Sequence, residues 1–151
     1  MRSTGSKSAG EVPRNGHGTK ADFAARLRHA RLRPTQQRLA LARLLFSGCD
    51  RHVTAEDLHG EALKGGARLS LATVYNTLHQ FTQAGLLRQV IVDGDKIHFD
   101  TNTGEHHHFY VEDEGVLIDI PGRDVRIEGL PKAPSGKEIE RVEIVVRLKT
   151  R

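Results

Sequence analysis

The chain is poor in sulfur: Cys49 is its single cysteine among 151 residues. No disulfide can close within it and no cysteine-rich zinc site can be built, which suits a reducing compartment. No apolar run approaches the ~20 residues needed to cross a bilayer. The opening MRSTGSKSAGEVPRNGHGTK has none of the apolar core of a secretory signal. A soluble cytoplasmic protein with no membrane partner is the expectation. Two long windows lack carboxylates, from Phe23 to Cys49 and from Ala62 to Val92. Missing as well is any His-Glu-x-x-His helix, and no Ser or Cys nucleophile has a neighbouring base in the sequence. A metal-dependent hydrolase therefore ranks last, and the chain is not expected to be an enzyme.

What is present is charge, unevenly spread. Residues 1–92 hold 14 Lys and Arg against 6 Asp and Glu, whereas 93–151 hold 9 against 13, so a half at +8 precedes one at −4. Arg26, Arg28, Arg31, Arg33, Arg38 and Arg43 crowd the first acid-free window; Lys64, Arg68 and Arg88 are the only charges of the second. Such a distribution is an electrostatic footprint for a polyanion, and a merely solvated basic face is the weaker account of it.

Residues 1–21, rich in Gly, Ser, Lys and Thr with little that is apolar, read as a disordered basic arm. Asp22 is placed as the cap of a helix reaching about Ala30, after which Pro34 breaks the pattern. Thr35 caps a second helix carrying Leu39, Ala42, Leu45 and Phe46, ended at Gly48. Thr54 with Asp57 three residues on opens a third through Leu63, stopped by Gly65 and Gly66. Ser70 caps a fourth, LATVYNTLHQFTQA, ended by Gly85. Its apolar stripe is Leu71, Val74, Leu78 and Phe81. The other side carries Ala72, Thr73, Tyr75, Asn76, His79, Gln80 and Gln83, uncharged hydrogen-bonding groups suited to base edges in a major groove.

Strands at about Leu87–Val92 and Lys96–Asp100 then flank Asp93-Gly94, a hairpin dipeptide. Helices followed by a hairpin make a winged helix-turn-helix over residues 22–100, with Arg88 and Lys96 placed to meet phosphates. The fold class is α+β, with double-stranded DNA as the expected partner. The interface residues expected are Arg33, Arg68, Ser70, Thr73, Tyr75, Asn76, Gln80 and Lys96. Strands at His107–Val111, Val116–Ile120 and Ile139–Leu148 fill residues 101–151, GLPKAPSGK being loop or at most a short helix. A unit this small lacks a core of its own, so a homodimer is expected.

The triplet His106, His107, His108 sits where the halves meet. In an extended segment the side chains alternate, so His106 and His108 share a face that His107 leaves. A His-x-His pair chelates a divalent ion. Asp100 and Asp119 could complete a nitrogen and oxygen set suited to Fe, Mn, Zn or Ni. A polar strand edge, or a buffering protein that binds metal or haem without a DNA target, is the competing account.

The run LRPTQQRLALARLLF, RHVTAEDLH, LSLATVYNTLHQFTQAGLL, a Gly-Asp-Lys wing and HHHFYVEDEG resembles the ferric uptake regulator family of metal-dependent bacterial transcription factors, from about residue 22 onward. The resemblance implies an N-terminal winged-helix domain, a small α/β dimerisation domain, a homodimer and a metal site at the hinge. It adds His52 as a ligand and matches Asp100 to the family's acidic one, giving His52, Asp100, His106, His108 and Asp119. Where many members carry a Cys-x-x-Cys pair this chain has Val111, Glu112, Asp113 and Glu114, so no structural zinc held by four cysteines is expected. Val142 stands about where a further histidine ligand would. The triplet without cysteines looks most like the iron response regulator branch, which implies control of iron and haem genes, mainly repression, and haem sensing that would rest on His106, His107 and His108. An AT-rich palindromic operator goes with that implication, and a manganese-, zinc- or peroxide-sensing regulator of the same family is the alternative.

Overall fold

A computed structural model describes residues 18–94 and 96–151. The expected arm at 1–21 lies outside the described residues up to position 17. Its last residues belong instead to helix α1 (Lys20–His29). The cap is Thr19, not Asp22: the Thr19 side chain accepts from the Asp22 backbone N–H, while the Asp22 carboxylate accepts from Thr19. Two backbone donors are satisfied reciprocally, which one Asp acting as the cap could not do. Helix α2 (Gln36–Phe46) is capped by Thr35, α3 (Ala55–Lys64) by Thr54 with Asp57 in a second capping box, and α4 (Leu71–Gln83) by Ser70.

Between α2 and α3 lies a two-residue strand, β1 (His52–Val53). After α4 come β2 (Arg88–Asp93) and β3 (Lys96–Asp100), and the three form an antiparallel sheet in the order β1-β3-β2. Gly94 turns the hairpin at φ 34°, a left-handed value that favours glycine. Leu27, Leu41, Leu45, Leu58, Val74, Leu78, Phe81 and Phe99, each at most 1% exposed, fill the core that joins four helices to this sheet. Each such side chain contributes about 1.5–3 kcal/mol of transfer free energy. Thr77 is buried on the same face of α4, its hydroxyl donating to the Thr73 carbonyl.

The second sheet is β5-β4-β6, built from β4 (His106–Val111), β5 (Val116–Pro121) and β6 (Val145–Leu148). β5 runs antiparallel to β4 and β6 parallel to it, so the segment 122–144 is a crossover holding one 3-10 turn over Gly122–Asp124. The last strand is shorter than the expected Ile139–Leu148: 139–144 is not strand, and only Val145–Leu148 pairs. Its partners on β4 run from His108 to Val111. A smaller cluster of Val90, Val92, Tyr110 and Leu117, with Val145 against it, joins the wing strand β2 to this second sheet.

Candidate functional site

Register explains how five distant residues meet. β1 pairs with β3 so that His52 faces Asp100, and β4 pairs with β5 so that His108 faces Asp119. The period of two along β4 turns His106 to the side of His108. One ligand atom from each of His52, Asp100, His106, His108 and Asp119 falls within 4.8 Å of all the others. Asp100 Oδ2 lies 3.1 Å from His52 Nε2, 2.7 Å from His106 Nε2 and 3.0 Å from His108 Nε2. Asp119 Oδ1 lies 2.8 Å from His52 Nε2 and 3.4–3.5 Å from the other two.

Protons alone satisfy this arrangement poorly. His106 Nε2 and His108 Nε2 are 3.0 Å apart and both face inward, so at most one can carry a proton between them. His106 Nδ1 sits 2.7 Å from the Gly104 carbonyl, which fixes the proton there and leaves the inward Nε2 as a lone pair. His52 Nε2 is buried without a hydrogen bond of ordinary geometry. A first-row ion held ~2.0–2.2 Å from nitrogen and oxygen donors separates those donors by roughly 3 Å, close to the edges found. The residues present fit a divalent ion with an N3O2 donor set.

Electrostatics agree. Burial alone would lower the His52 pKa, but contacts with Asp100 and Asp119 and their charges outweigh it and raise it to about 9. Burial would raise Asp100; the contacts of His108 and His52 and the charge of His52 instead hold it far below the usual carboxylate range. Asp119 is lowered likewise, burial being outweighed by His52. The pocket stores negative charge that a cation can replace protons to neutralise.

His107 lies on the opposite face of β4, buried, its Nδ1 accepting the Ile144 backbone N–H at 3.1 Å. The triplet therefore divides two and one, as the strand period requires.

The polar face of α4 is also assembled. Asn76 and Gln80 are exposed, Tyr75 and Thr73 half-buried, and Ser70 and Arg68 exposed just ahead of the helix. Tyr75 and Lys96 line one groove with Thr54, Glu56 and Ile97, the Tyr75 hydroxyl donating to Glu56 at 3.4 Å. Gln80 Oε1 accepts from Arg38 Nε at 3.3 Å and Nη2 at 3.0 Å, and Arg38 Nη1 donates to the Arg33 carbonyl. The amide NH2 of Gln80 thus remains as its outward donor. Lys96 Nζ reaches toward the β4–β5 turn, where a Cβ on Gly115 would meet it at 2.9 Å.

Arg88 is the correction. Expected at a phosphate, it is 4% exposed and ion-paired with Glu143. The alternation of β2 turns Arg88, Val90 and Val92 inward toward the second sheet. Sequence reasoning missed this pair, the Arg38–Gln80 link and strand β1; two residues are too short to show a period, and no spacing rule joins positions 88 and 143.

Four helices and a winged hairpin, joined to a second sheet through a convergent cluster of histidines and carboxylates, define a DNA-binding protein that answers to a metal ion. The ferric uptake regulator family matches residues 29–146. The ferric uptake regulation protein of Pseudomonas aeruginosa is 34% identical over 100 residues, spanning 66% of this chain and 75% of that protein. The peroxide-responsive repressor PerR of Staphylococcus aureus is 34% identical over 96 residues, 64% of each. The structure of the Pseudomonas aeruginosa ferric uptake regulator with manganese superposes at a TM-score of 0.65 and 27% identity, covering 85% of this chain and 98% of that one. The chain belongs to the ferric uptake regulator family, and is a metal-sensing, DNA-binding transcriptional regulator. No helix among the described residues is long and apolar enough to cross a membrane.

Proposed function

We propose that this chain is a cytoplasmic homodimeric repressor whose effector is a divalent first-row ion held by His52, Asp100, His106, His108 and Asp119. The observation that carries the reading is the origin of the ligands: His52 and Asp100 come from the winged unit, His106, His108 and Asp119 from the second sheet. An ion held by both must bias their relative angle, and with it the spacing of two α4 helices across a dimer. Residues 22–100, extended back to the Thr19 cap, bind DNA in this reading, and 101–151 dimerise. Tyr75, Asn76, Thr73 and the Gln80 amide read base edges, while Arg33, Arg68 and Lys96 meet phosphates and Ser70 anchors the helix start.

The likeness to the iron response regulator branch supports iron or haem genes as targets, with haem as the second reading. Two contacts favour the bare ion. His107 accepts the Ile144 N–H on Nδ1, so its neutral ring carries the proton on Nε2 and offers no lone pair. The Nε2 atoms of His106 and His108 are turned into the cluster of five. The test is titration of a palindromic AT-rich duplex with metal-free, Mn2+-loaded, Fe2+-loaded and haem-loaded protein. Tightening by the ions alone supports the reading; a response to haem alone overturns it in favour of the second; no response to any of them removes the sensor role.

A further inference from the structure

A buried arginine stands directly behind the cluster of histidines. Arg88 opens β2, where its backbone partner across the ladder is Asp100. Its guanidinium spreads over three acceptors in three directions: Nε donates to Glu143 Oε1 at 2.6 Å, Nη1 to the Gly104 carbonyl at 3.1 Å and Nη2 to the His106 carbonyl at 3.4 Å. The Gly104 carbonyl is the same one that takes His106 Nδ1 at 2.7 Å. Arg88 Nη1 itself comes within 3.5 Å of that ring nitrogen. Glu143, from the crossover ahead of β6, is an exposed residue whose side chain keeps 34% of its surface, and it is also approached by Arg141 at 3.3 Å.

We propose that Arg88 is a positioning residue of the metal centre, clamping the 104–106 backbone so that the His106 ring presents Nε2 inward, and that Glu143 cancels the charge Arg88 would otherwise set against the incoming ion. The inference rests on the metal-sensing reading above. The three contacts are made from three different nitrogens of a rigid fork, whereas the donors of a lysine share one nitrogen, so Arg88→Lys keeps the charge but cannot reproduce the set. A buried guanidinium left unpaired a few ångströms from a site that gains a divalent cation would oppose occupancy, since such charges are screened little in the interior. The clamp also ties β2 to the segment before β6, so the ligand His106, the wing strand and the C-terminal segment share one anchor.

The experiment uses full-length protein and two probes, Co2+ for its visible ligand-field spectrum and Mn2+ for affinity. Arg88→Lys and the charge-balanced pair Arg88→Met with Glu143→Gln are expected to change the position or intensity of the Co2+ bands and to weaken Mn2+ binding by roughly 10–100-fold, the range found for loss of an outer contact to a ligand. Glu143→Gln alone keeps an acceptor for Nε; it should leave the Co2+ bands in place while weakening Mn2+ several-fold. Because Glu143 lies on a half-exposed segment, this variant carries the test if the Arg88 substitutions do not fold. Unchanged Co2+ spectra and Mn2+ affinity in all variants, with wild type binding both ions, would overturn the clamp and leave the sensor reading intact. Wild type that binds neither ion overturns the sensor reading and the clamp with it.

Discussion

At the scale of single residues, the centre is defined by where lone pairs point. His106 and His108 are neighbours separated by one residue, yet their Nε2 atoms meet at 3.0 Å, while the residue between them faces the crossover. Replacing both by Ala should therefore weaken Mn2+ binding by more than the roughly 10–100-fold of an outer contact. His107→Ala should retain most of the affinity; calorimetric titration of the three proteins checks this. His52 adds a pH signature. With a pKa raised to about 9, it is protonated near neutrality when no ion is bound, and the ion must displace that proton. His52's share of the release should be about one proton per Mn2+ at about pH 7.5, fading as pH rises through about 9. Titrations in buffers of different ionisation enthalpy measure it, and His52→Ala should remove that share. The same shift carries a stability sign. A histidine raised above its unfolded 6.5 adds stability that is full below 6.5 and lost as pH climbs through about 9. Metal-free protein should thus melt at a lower temperature at about pH 9.5 than at about pH 6.5, and bound ion should flatten that difference.

At the scale of elements, the sequence spoke most plainly where chemistry is local. Thr35, Thr54 and Ser70 announce their helices because a hydroxyl before an apolar periodicity has one strong use, and the first helix begins earlier than Asp22 suggests because that residue is the third of a Thr19 box. Thr54→Ala should cost about 1 kcal/mol, seen as a shift in denaturant midpoint without a change of slope. The alternation of Val142, Ile144, Val146 and Leu148 suggests a longer final strand than exists, because alternation is a property of the chain and pairing is a property of the partner. His52 and Arg88 are illegible by spacing for a related reason: their roles depend on the β1–β3 register and on Glu143, far along the chain. The α4 face is legible as chemistry but not as a network. Tyr75 rests against Glu56 and Gln80 against Arg38, so part of that face is pre-ordered before DNA arrives. Tyr75→Ala should cost about 1–3 kcal/mol on a specific operator and little on random duplex, whereas Lys96→Ala should weaken both and flatten the salt dependence. Equal losses of Tyr75→Ala on both duplexes would remove its readout role.

At the scale of the molecule, the second sheet has two unlike faces. Toward the winged unit it turns His106, His108 and Tyr110 of β4 with Leu117 and Asp119 of β5, the side that holds the cluster and closes on Val90 and Val92. Ladder partners share a face, so Phe109 lies in a row with Ile118 on one side and Val146 on the other, and Val111 in a row with Val116 and Leu148, all on the face turned away. That face is apolar and open: Val116 is 43% exposed, Ile118 48% and Val146 38%. A three-stranded sheet with one apolar face uncovered is marginal by itself, and the family to which the chain belongs consists of dimeric regulators, so a second copy is the fitting cover. Charge placed there separates assembly from sensing, because the ligands lie on the other face. Ile118→Asp with Val146→Asp should convert the dimer to monomer in sedimentation at micromolar concentration. Mn2+ affinity should stay within a few-fold of wild type, while binding to a palindromic duplex falls toward that for a single half-site. A double variant that sediments as the wild type would place the dimer interface elsewhere. One that loses Mn2+ binding together with assembly would mean that the cluster is completed only when two copies meet.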